Sequence, residues 1–348
     1  MGKMHNILMK MSRLNRWGRA LSVVAVTVAS LNGVAMDVRA ATRDLTITGS
    51  PMVFFDRTQN PTVSITSRVT VGSDQPIQYA SVRMFGYAGP DDKLDINPYY
   101  NRLSSFTKTW DAPNRELKIQ KSNGTNFSGS NDISDLNEVL NQLVFFWPDN
   151  SITHNPTRMI EINICEVGKS YEHPDHTLHF YDFVNFSGTW SSARTNASSQ
   201  MYYGKKGYLA TITASNESTF ARSQAPSSAG WVGASDELVE NTWRWVTGPE
   251  GLLTSVKDSN LGLVFWTGLS NGSNYTNDGI NYSVWNSGEP NQSGNEDYMQ
   301  WTGSNWNDLS GTATLSGYFI EWGGMGEAGN TITIHILPSN AFKSAMGM

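Results

Sequence analysis

Between Ser287 and Gly311 the chain reads SGEPNQSGNEDYMQWTGSNWNDLSG, with carboxylates at Glu289, Glu296, Asp297 and Asp308 and carboxamides at Asn291, Asn295, Asn305 and Asn307. From Asn281 to Met348 the only Lys or Arg is Lys343. Carboxylates crowded together repel one another and raise their own pKa values unless something compensates. With no cationic side chain at hand, a bound cation is the natural compensation. Calcium is a hard cation that takes six to eight oxygens at about 2.3–2.6 Å from carboxylates, carboxamides and carbonyls. Glu289, Asn291, Glu296, Asn307 and Asp308 supply such a set with no nitrogen or sulfur donor beside them. Pro290 fixes the chain between the first two, and Trp306 is expected to anchor the second pair in the core. The competing reading is a solvated Asn/Gly/Asp-rich surface loop.

A second constellation is EHPDHTLH, which brings His173, Asp175, His176 and His179 close in sequence as candidate zinc ligands. His179 alternates with aromatic residues, as an ordinary strand histidine would. No His-Glu-x-x-His, Gly-x-Ser-x-Gly or nucleotide-binding loop occurs, which argues against an enzyme.

These residues sit in a chain of 348 residues, about two domains long. Residues 1–40 have the layout of a signal peptide: a basic stretch with Lys3, Lys10, Arg13, Arg16 and Arg19, an apolar run, and a small-x-small cleavage site at Val38-Arg39-Ala40. An uncleaved N-terminal anchor is the alternative. No later segment is long and apolar enough to span a membrane, so the expected protein is exported and soluble, in the periplasm, at the cell surface or in the medium. The whole chain holds 25 Lys and Arg against 31 Asp and Glu; six of those bases and one acid lie in residues 1–40, so cleavage leaves 19 against 30 and a net charge of −11. That balance disfavours nucleic acid, whose phosphates need a basic face. Cys165 is the sole cysteine, so no intramolecular disulfide can form, and core burial or metal must hold the fold. Within EINICEVG it reads as a small apolar strand residue.

Residues 41–168 are read as an all-β sandwich. Strand-like runs such as TVSITSRVTV, YASVRMFGY, RELKIQK, LVFFW and RMIEINICEV alternate with Gly, Pro, Asn and Asp clusters. One helix interrupts them, with Ile133, Leu136, Leu140 and Leu143 at helical steps after an Asn131-Asp132 cap. The pattern resembles the cadherin-like repeats of large bacterial surface proteins, which implies a spacer or presentation role. Asp91 and Asp92 could bind calcium there, against the simpler reading of an exposed turn.

Residues 169–330 change in composition: nine of the twelve tryptophans follow residue 185. GTWSSARTNAS reads as a helix, GYLATIT as a strand, SNESTFARSQA as a helix capped by Ser215, and GWVGASD, TWRWVTG and GYFIEWG as strands. The order TW…A…A, GYLATI, N-E, GWVGASDELVENTWRWVTG, YSVWNSGEPNQSGNED, WND and GYFIEW resembles a C-type lectin domain of the cysteine-free kind found in bacteria, with an α+β fold. Tyr298 and Ile320 stand about where that family's half-cystines sit. The resemblance implies that Glu289, Asn291, Glu296, Asn307 and Asp308 are the primary calcium site, that the Glu289–Pro290 bond is cis, and that Asp236, Glu240 and Glu296 hold an auxiliary calcium. Gln292 departs from the acid usual after Asn291 and weakens that auxiliary set.

The same resemblance implies calcium-dependent carbohydrate binding through Glu289, Asn291, Glu296 and Asn307. Two vicinal sugar hydroxyls would donate to the carboxylates and accept from the carboxamides. Glu-Pro-Asn goes, in the family, with mannose, glucose or fucose type sugars, and Gln-Pro-Asp with galactose type. So few contacts imply weak single-site affinity, so multivalent assembly would be needed. Protein–protein adhesion on the same fold is the main alternative, and an exported metal-dependent enzyme the second. The run TITIHIL from Thr331 alternates like a strand within residues 331–348 and is expected to return to one of the two domains.

Overall fold

The computed structural model describes residues 43–48, 52–56, 62–65, 68–85, 92–146, 157–174, 176–326 and 329–337. The expected signal peptide 1–40, Asp91, Asp175 and residues 338–348 lie outside them. Residues 41–348 form one compact unit. It is mostly β-structure with three α-helices among the described residues.

The N-terminal region builds a six-stranded sheet whose long central members, Ile77–Phe85 and Thr157–Glu166, pair antiparallel. Cys165 is buried in the second of them, and burial pushes its thiol up to about 12. The strand Thr331–Leu337 enters this sheet from the far end of the sequence, antiparallel to Thr157–Glu166 and parallel to Met52–Asp56. Ile332, Ile334 and Ile336 point into the core, each contributing at most about 1.5–3 kcal/mol by burial. The C-terminal run therefore joins the first region.

The helix there spans Gly129–Leu140, capped at Ser128. Ile133, Leu136 and Leu140 are buried as its spacing requires, but Leu143 is not in the helix and instead opens the strand Leu143–Phe146. Asp132 lies inside the first turn, and its Oδ2 accepts the Ser128 N–H (2.9 Å). The polar face has a use of its own. Asn137 and Asn141 each accept from and donate to the backbone of Val71 and Val69, so two carboxamides satisfy an edge of the strand Arg68–Ser73. Asp92 is not an exposed turn residue. It is buried and receives the buried Arg158 Nε–H at 2.6 Å. A buried aspartate needs such a partner, and the cation comes from a strand 66 residues away.

The two regions placed either side of residue 168 pack against each other. Arg43 donates to Glu166 (2.9 Å) and Asp182 (3.4 Å), Tyr203 Oη to Ser73 Oγ (2.7 Å), and Asn330 Nδ2 to the Ile162 carbonyl (3.0 Å).

In the C-terminal region the helices fall at Trp190–Ser199 and Ser215–Ser223. Trp190, Ala193 and Ala197 share the buried stripe of the first, and Thr189 caps it. The second is capped at Ala214, not at Ser215. Glu217 Oε2 collects the N–H groups of Thr213 and Ala214, the two residues before the helix, and so fixes the chain's entry into it. The GYLATIT run holds a strand only at Lys205–Leu209. The central strand Leu315–Trp322 pairs with Leu178–Gly188 and Lys205–Leu209, and meets Gly230–Ser235 in parallel. Trp243, Trp245, Trp301 and Trp306 fill the core beneath, all but fully buried. That aromatic mass replaces the crosslinks the sequence does not have.

Candidate functional site

Tyr298–Thr302 and Asn305–Leu309 form a hairpin closed by Gly303-Ser304, where Gly303 takes φ +57°. Alternation sends Met299, Trp301, Trp306 and Asp308 inward, so a carboxylate is forced onto a buried face beside tryptophan. Trp306 packs against Trp245, Phe265, Tyr282 and Trp285, as its expected anchoring role requires. The segment carrying Glu289 is laid alongside this hairpin: Trp306 N–H donates to the Val284 carbonyl and Asn286 N–H to the Trp306 carbonyl, both at 2.8 Å. Between Asn274 and Tyr298 no strand or helix intervenes, so the tryptophans and these bonds set the chain's path.

The Glu289–Pro290 bond is cis. Past it, the N–H groups of Asn291 and Gln292 both donate to Asp308 Oδ2, at 2.9 and 2.7 Å. Asp308 Oδ1 and Glu289 Oε2 are buried, and neither has a hydrogen-bond donor. Burial, then the adjacent Asp308, push the Glu289 carboxyl up to about 7, with Asn291 and Glu296 also facing it. Glu296 is raised by burial, with Asp308 adding to it, and its Oε2 accepts the Ser293 N–H (2.9 Å). Glu289, Asn291, Glu296 and Asp308 are thus brought together. Asn307 faces the other side of its strand and reaches the group through the Asp308 carbonyl, to which its Nδ2 donates. The three carboxylates do not converge within 4.8 Å of one another, a tighter grouping reached elsewhere in the molecule.

The donor set fits calcium. It is all oxygen, two of its buried oxygens lack a donor, and an orphaned buried carboxylate oxygen costs stability unless a cation or proton reaches it.

Asp236 and Glu240 lie beside this group. Asp236 is pushed up to about 7 by burial, with Glu240 and Asp297 adding repulsion, and its Oδ1 has no donor. Asn241 N–H donates to its other oxygen at 2.9 Å. Gln292, standing where an acid would be usual, donates its carboxamide to Glu240 and accepts the Glu296 N–H (2.8 Å). The Gln292 carboxamide thus gives Glu240 a hydrogen-bond donor. Asp297, not singled out as a ligand from sequence, is buried and accepts Asn295 Nδ2–H at 2.5 Å.

Of the histidine run, His173 and His179 come together, with ring centroids 3.9 Å apart. His176 is exposed and pairs with Glu172 at 2.7 Å, away from them. The partner of His179 is Glu321, whose Oε1 lies 2.5 Å from Nδ1. Glu321 was read from sequence only as part of a buried strand. A glutamate inside GYFIEW was the signal, since a buried carboxylate demands a partner.

No family model matches the chain. Halomucin of Haloquadratum walsbyi is 28% identical over 246 residues, 69% of this chain and 2% of that protein. The C-type lectin domain family 4 member M of Gorilla gorilla gorilla is 35% identical over 102 residues, 29% of this chain and 20% of that protein. The chain therefore spans a fifth or less of these curated relatives. Among solved structures, the C-type lectin CEL-I of Cucumaria echinata has 20% identity and a TM-score of 0.31, over 46% of this chain and 98% of that one. The cow C-type carbohydrate-recognition domain of CD23, in the presence of GlcNAc2Man3 oligosaccharide, has 22% identity and a TM-score of 0.29, over 41% and 86%. Among the described residues no helix is long and apolar enough to cross a membrane.

Proposed function

We propose that the chain binds carbohydrate through a calcium ion held by Glu289, Asn291, Glu296, Asn307 and Asp308, in a C-type lectin domain of the cysteine-free kind spanning residues 169–330. The observation that carries this is the pair of donorless buried oxygens, Glu289 Oε2 and Asp308 Oδ1, in a segment without a basic partner. The 35% identical C-type lectin relative supports the carbohydrate half. When bound, calcium would supply open positions for two vicinal hydroxyls. The protein's part is to accept those hydroxyl protons at Glu289 and Glu296 and to donate from the Asn291 and Asn307 carboxamides. The Glu-then-Asn order across Pro290 favours mannose, glucose or fucose type sugars, and weak single sites call for multivalent display on an exported protein. Asp236, Glu240 and Glu296 form an auxiliary calcium site in this reading, and residues 41–168 a cadherin-like spacer. Binding of these sugars is not an enzymatic role.

Calorimetric titration of calcium into residues 41–348, followed by a glycan array with and without chelator, tests it. Sugar binding that survives the chelator, or no calcium heat at all, overturns it. One observation favours a protein ligand instead: Leu238 and Val239, between Asp236 and Glu240, are 58% and 38% exposed. A calcium-binding chain that is silent on every glycan would select that reading.

A further inference from the structure

Away from the calcium-type segment, three elements deliver ligating atoms to one buried point. His179 comes from the strand Leu178–Gly188, Glu321 from Leu315–Trp322, and His173 from the turn after Ser170–Glu172. One nitrogen of each imidazole and one Glu321 oxygen lie within 4.8 Å of one another, the only such His/Cys/Asp/Glu group among the described residues. His179 and Glu321 are 4% and 0% exposed, and His173 sits at the partly exposed edge. Glu321 is held from behind: Thr211 N–H donates to its Oε2 at 2.9 Å, while Thr211 Oγ1, 3.2 Å from that oxygen, lies closer to Glu250 Oε2, at 2.8 Å. Glu217, also buried, places Oε1 3.7 Å from His173 Nε2, and Tyr181 Oη–H donates to that oxygen at 2.7 Å. Tyr181 Oη itself lies 3.2 Å from His173 Nε2. No Lys or Arg is paired with Glu217 or Glu321 here; the salt-bridge partners of these buried acids are the two histidines.

We propose that His173, His179 and Glu321 bind a divalent transition ion of the zinc class, with Glu217 as the neighbouring fourth oxygen. The ligand types decide the ion. Two imidazoles and one or two carboxylates suit borderline-soft zinc in tetrahedral geometry, whereas calcium takes an all-oxygen shell. The Thr211 N–H bond to Glu321 is the outer-shell support that fixes a ligating carboxylate. Binding needs an imidazole lone pair and an ionised carboxylate. His179 Nδ1 and Glu321 Oε1 lie 2.5 Å apart, so the ion displaces the proton of that hydrogen bond, which leaves to solvent. Such an ion would clip the turn that enters the C-terminal region to its central strand, in a chain with no disulfide to do so.

The test uses residues 41–348, stripped with chelator, dialysed and titrated with Co²⁺. One equivalent should give the intense visible bands of four-coordinate Co²⁺, bleached by Zn²⁺ and untouched by excess Ca²⁺. H173A and E321Q should each weaken the ion by at least about 100-fold, more than loss of an outer-shell partner typically does. D308A should leave it unchanged, which separates this site from the calcium-type segment. Absence of the bands in the native chain, or equal Co²⁺ affinity in H173A, would overturn the proposal and leave a plain hydrogen-bonded ion network. Should E321Q lose its fold by circular dichroism, H173A, at the exposed edge of the cluster, still decides.

Discussion

The N-terminal region and the Ser287–Gly311 segment handle acidic side chains in opposite ways. In the first, acids meet bases of the same chain: Asp92 with Arg158, Asp95 with Lys93 and Lys108, Asp132 with Lys121, and Asp135 and Glu138 with Arg102. In the second, Glu289, Glu296 and Asp308 are held by backbone N–H groups and by carboxamides, and burial, with Asp308 adding repulsion, raises the first two. An acid paired inside the chain serves the fold. Acids gathered with no cationic partner, at a cost to the fold, point to a ligand that arrives from outside.

The sharpest way to break that contrast is to unpair a compensated acid. Asp92→Ala removes the carboxylate that faces the Arg158 guanidinium, which is fully buried, and should cost about 3–5 kcal/mol in urea unfolding. Calcium should not restore it. The double change Asp92→Leu with Arg158→Met should recover most of the loss, because a well-packed apolar pair can replace a buried ion pair. A loss below about 1 kcal/mol for Asp92→Ala would show that the N-terminal pairing does not serve the fold as described.

Supplying a cation is the converse experiment. Calcium bound only to the native state stabilises it by about 2.7 kcal/mol at a hundredfold excess over Kd, read as a rise in Tm against chelator. Asp308→Ala should abolish that rise. In chelator the same variant sheds a buried oxygen that nothing satisfies but also loses the acceptor of the Asn291 and Gln292 N–H groups, so its Tm there should stay close to the parent's. An unchanged Tm between millimolar calcium and chelator in the parent chain would remove the distinction between the two regions.

A smaller effect is expected at Arg244, where the C-terminal region follows the N-terminal rule. Its guanidinium is buried and donates to Asp258 Oδ2 at 2.5 Å; the Asp258 carboxyl is held down at about 2, chiefly by that bond. A lowered acid stabilises above its unfolded pKa, and that contribution disappears as pH falls from the ordinary aspartate range towards about 2. Asp258→Asn should cost about 1–2 kcal/mol at neutral pH, discounted for its partial exposure, and the difference from the parent should close at acid pH. A pH-independent difference would assign the cost to packing.

Local pattern made part of this legible. Alternation and helical spacing placed the strands and the three helices, and the crowding of acids between Glu289 and Asp308 marked the segment where the donorless oxygens lie. What was not legible depended on partners far off in sequence. Leu143 continues the helical period of Leu136 and Leu140 yet pairs as a strand with residues 62–64 and 93–96, a contact no local period encodes. His173 and His179 were visible, but Glu321 joins them from 142 residues beyond His179. Asp92 looked like a turn residue because Arg158, which buries it, belongs to another strand. Ser215 looked like a cap because the Glu217 side chain, folding back three and four residues to Ala214 and Thr213, cannot be read from propensity.

The smallest and most specific effect concerns which side of Pro290 donates and which accepts. Glu289→Gln with Asn291→Asp keeps the same number of oxygens and the same net charge around the ion. It exchanges only the positions of acceptor and donor. Calcium affinity by calorimetry should move by less than about tenfold, about 1.4 kcal/mol. Sugar preference on an array should move from mannose type towards galactose type, because a hydroxyl that donated to Glu289 would now meet a carboxamide. The structure adds one constraint to this swap. Asn291 N–H donates to Asp308 Oδ2, so a new carboxylate at residue 291 sits beside one already short of donors. In chelator, then, the swapped chain should melt lower than the parent, and calcium should close that gap. If the gap persists in calcium while glycan preference stays where it was, Glu289 and Asn291 shape the loop and read no sugar.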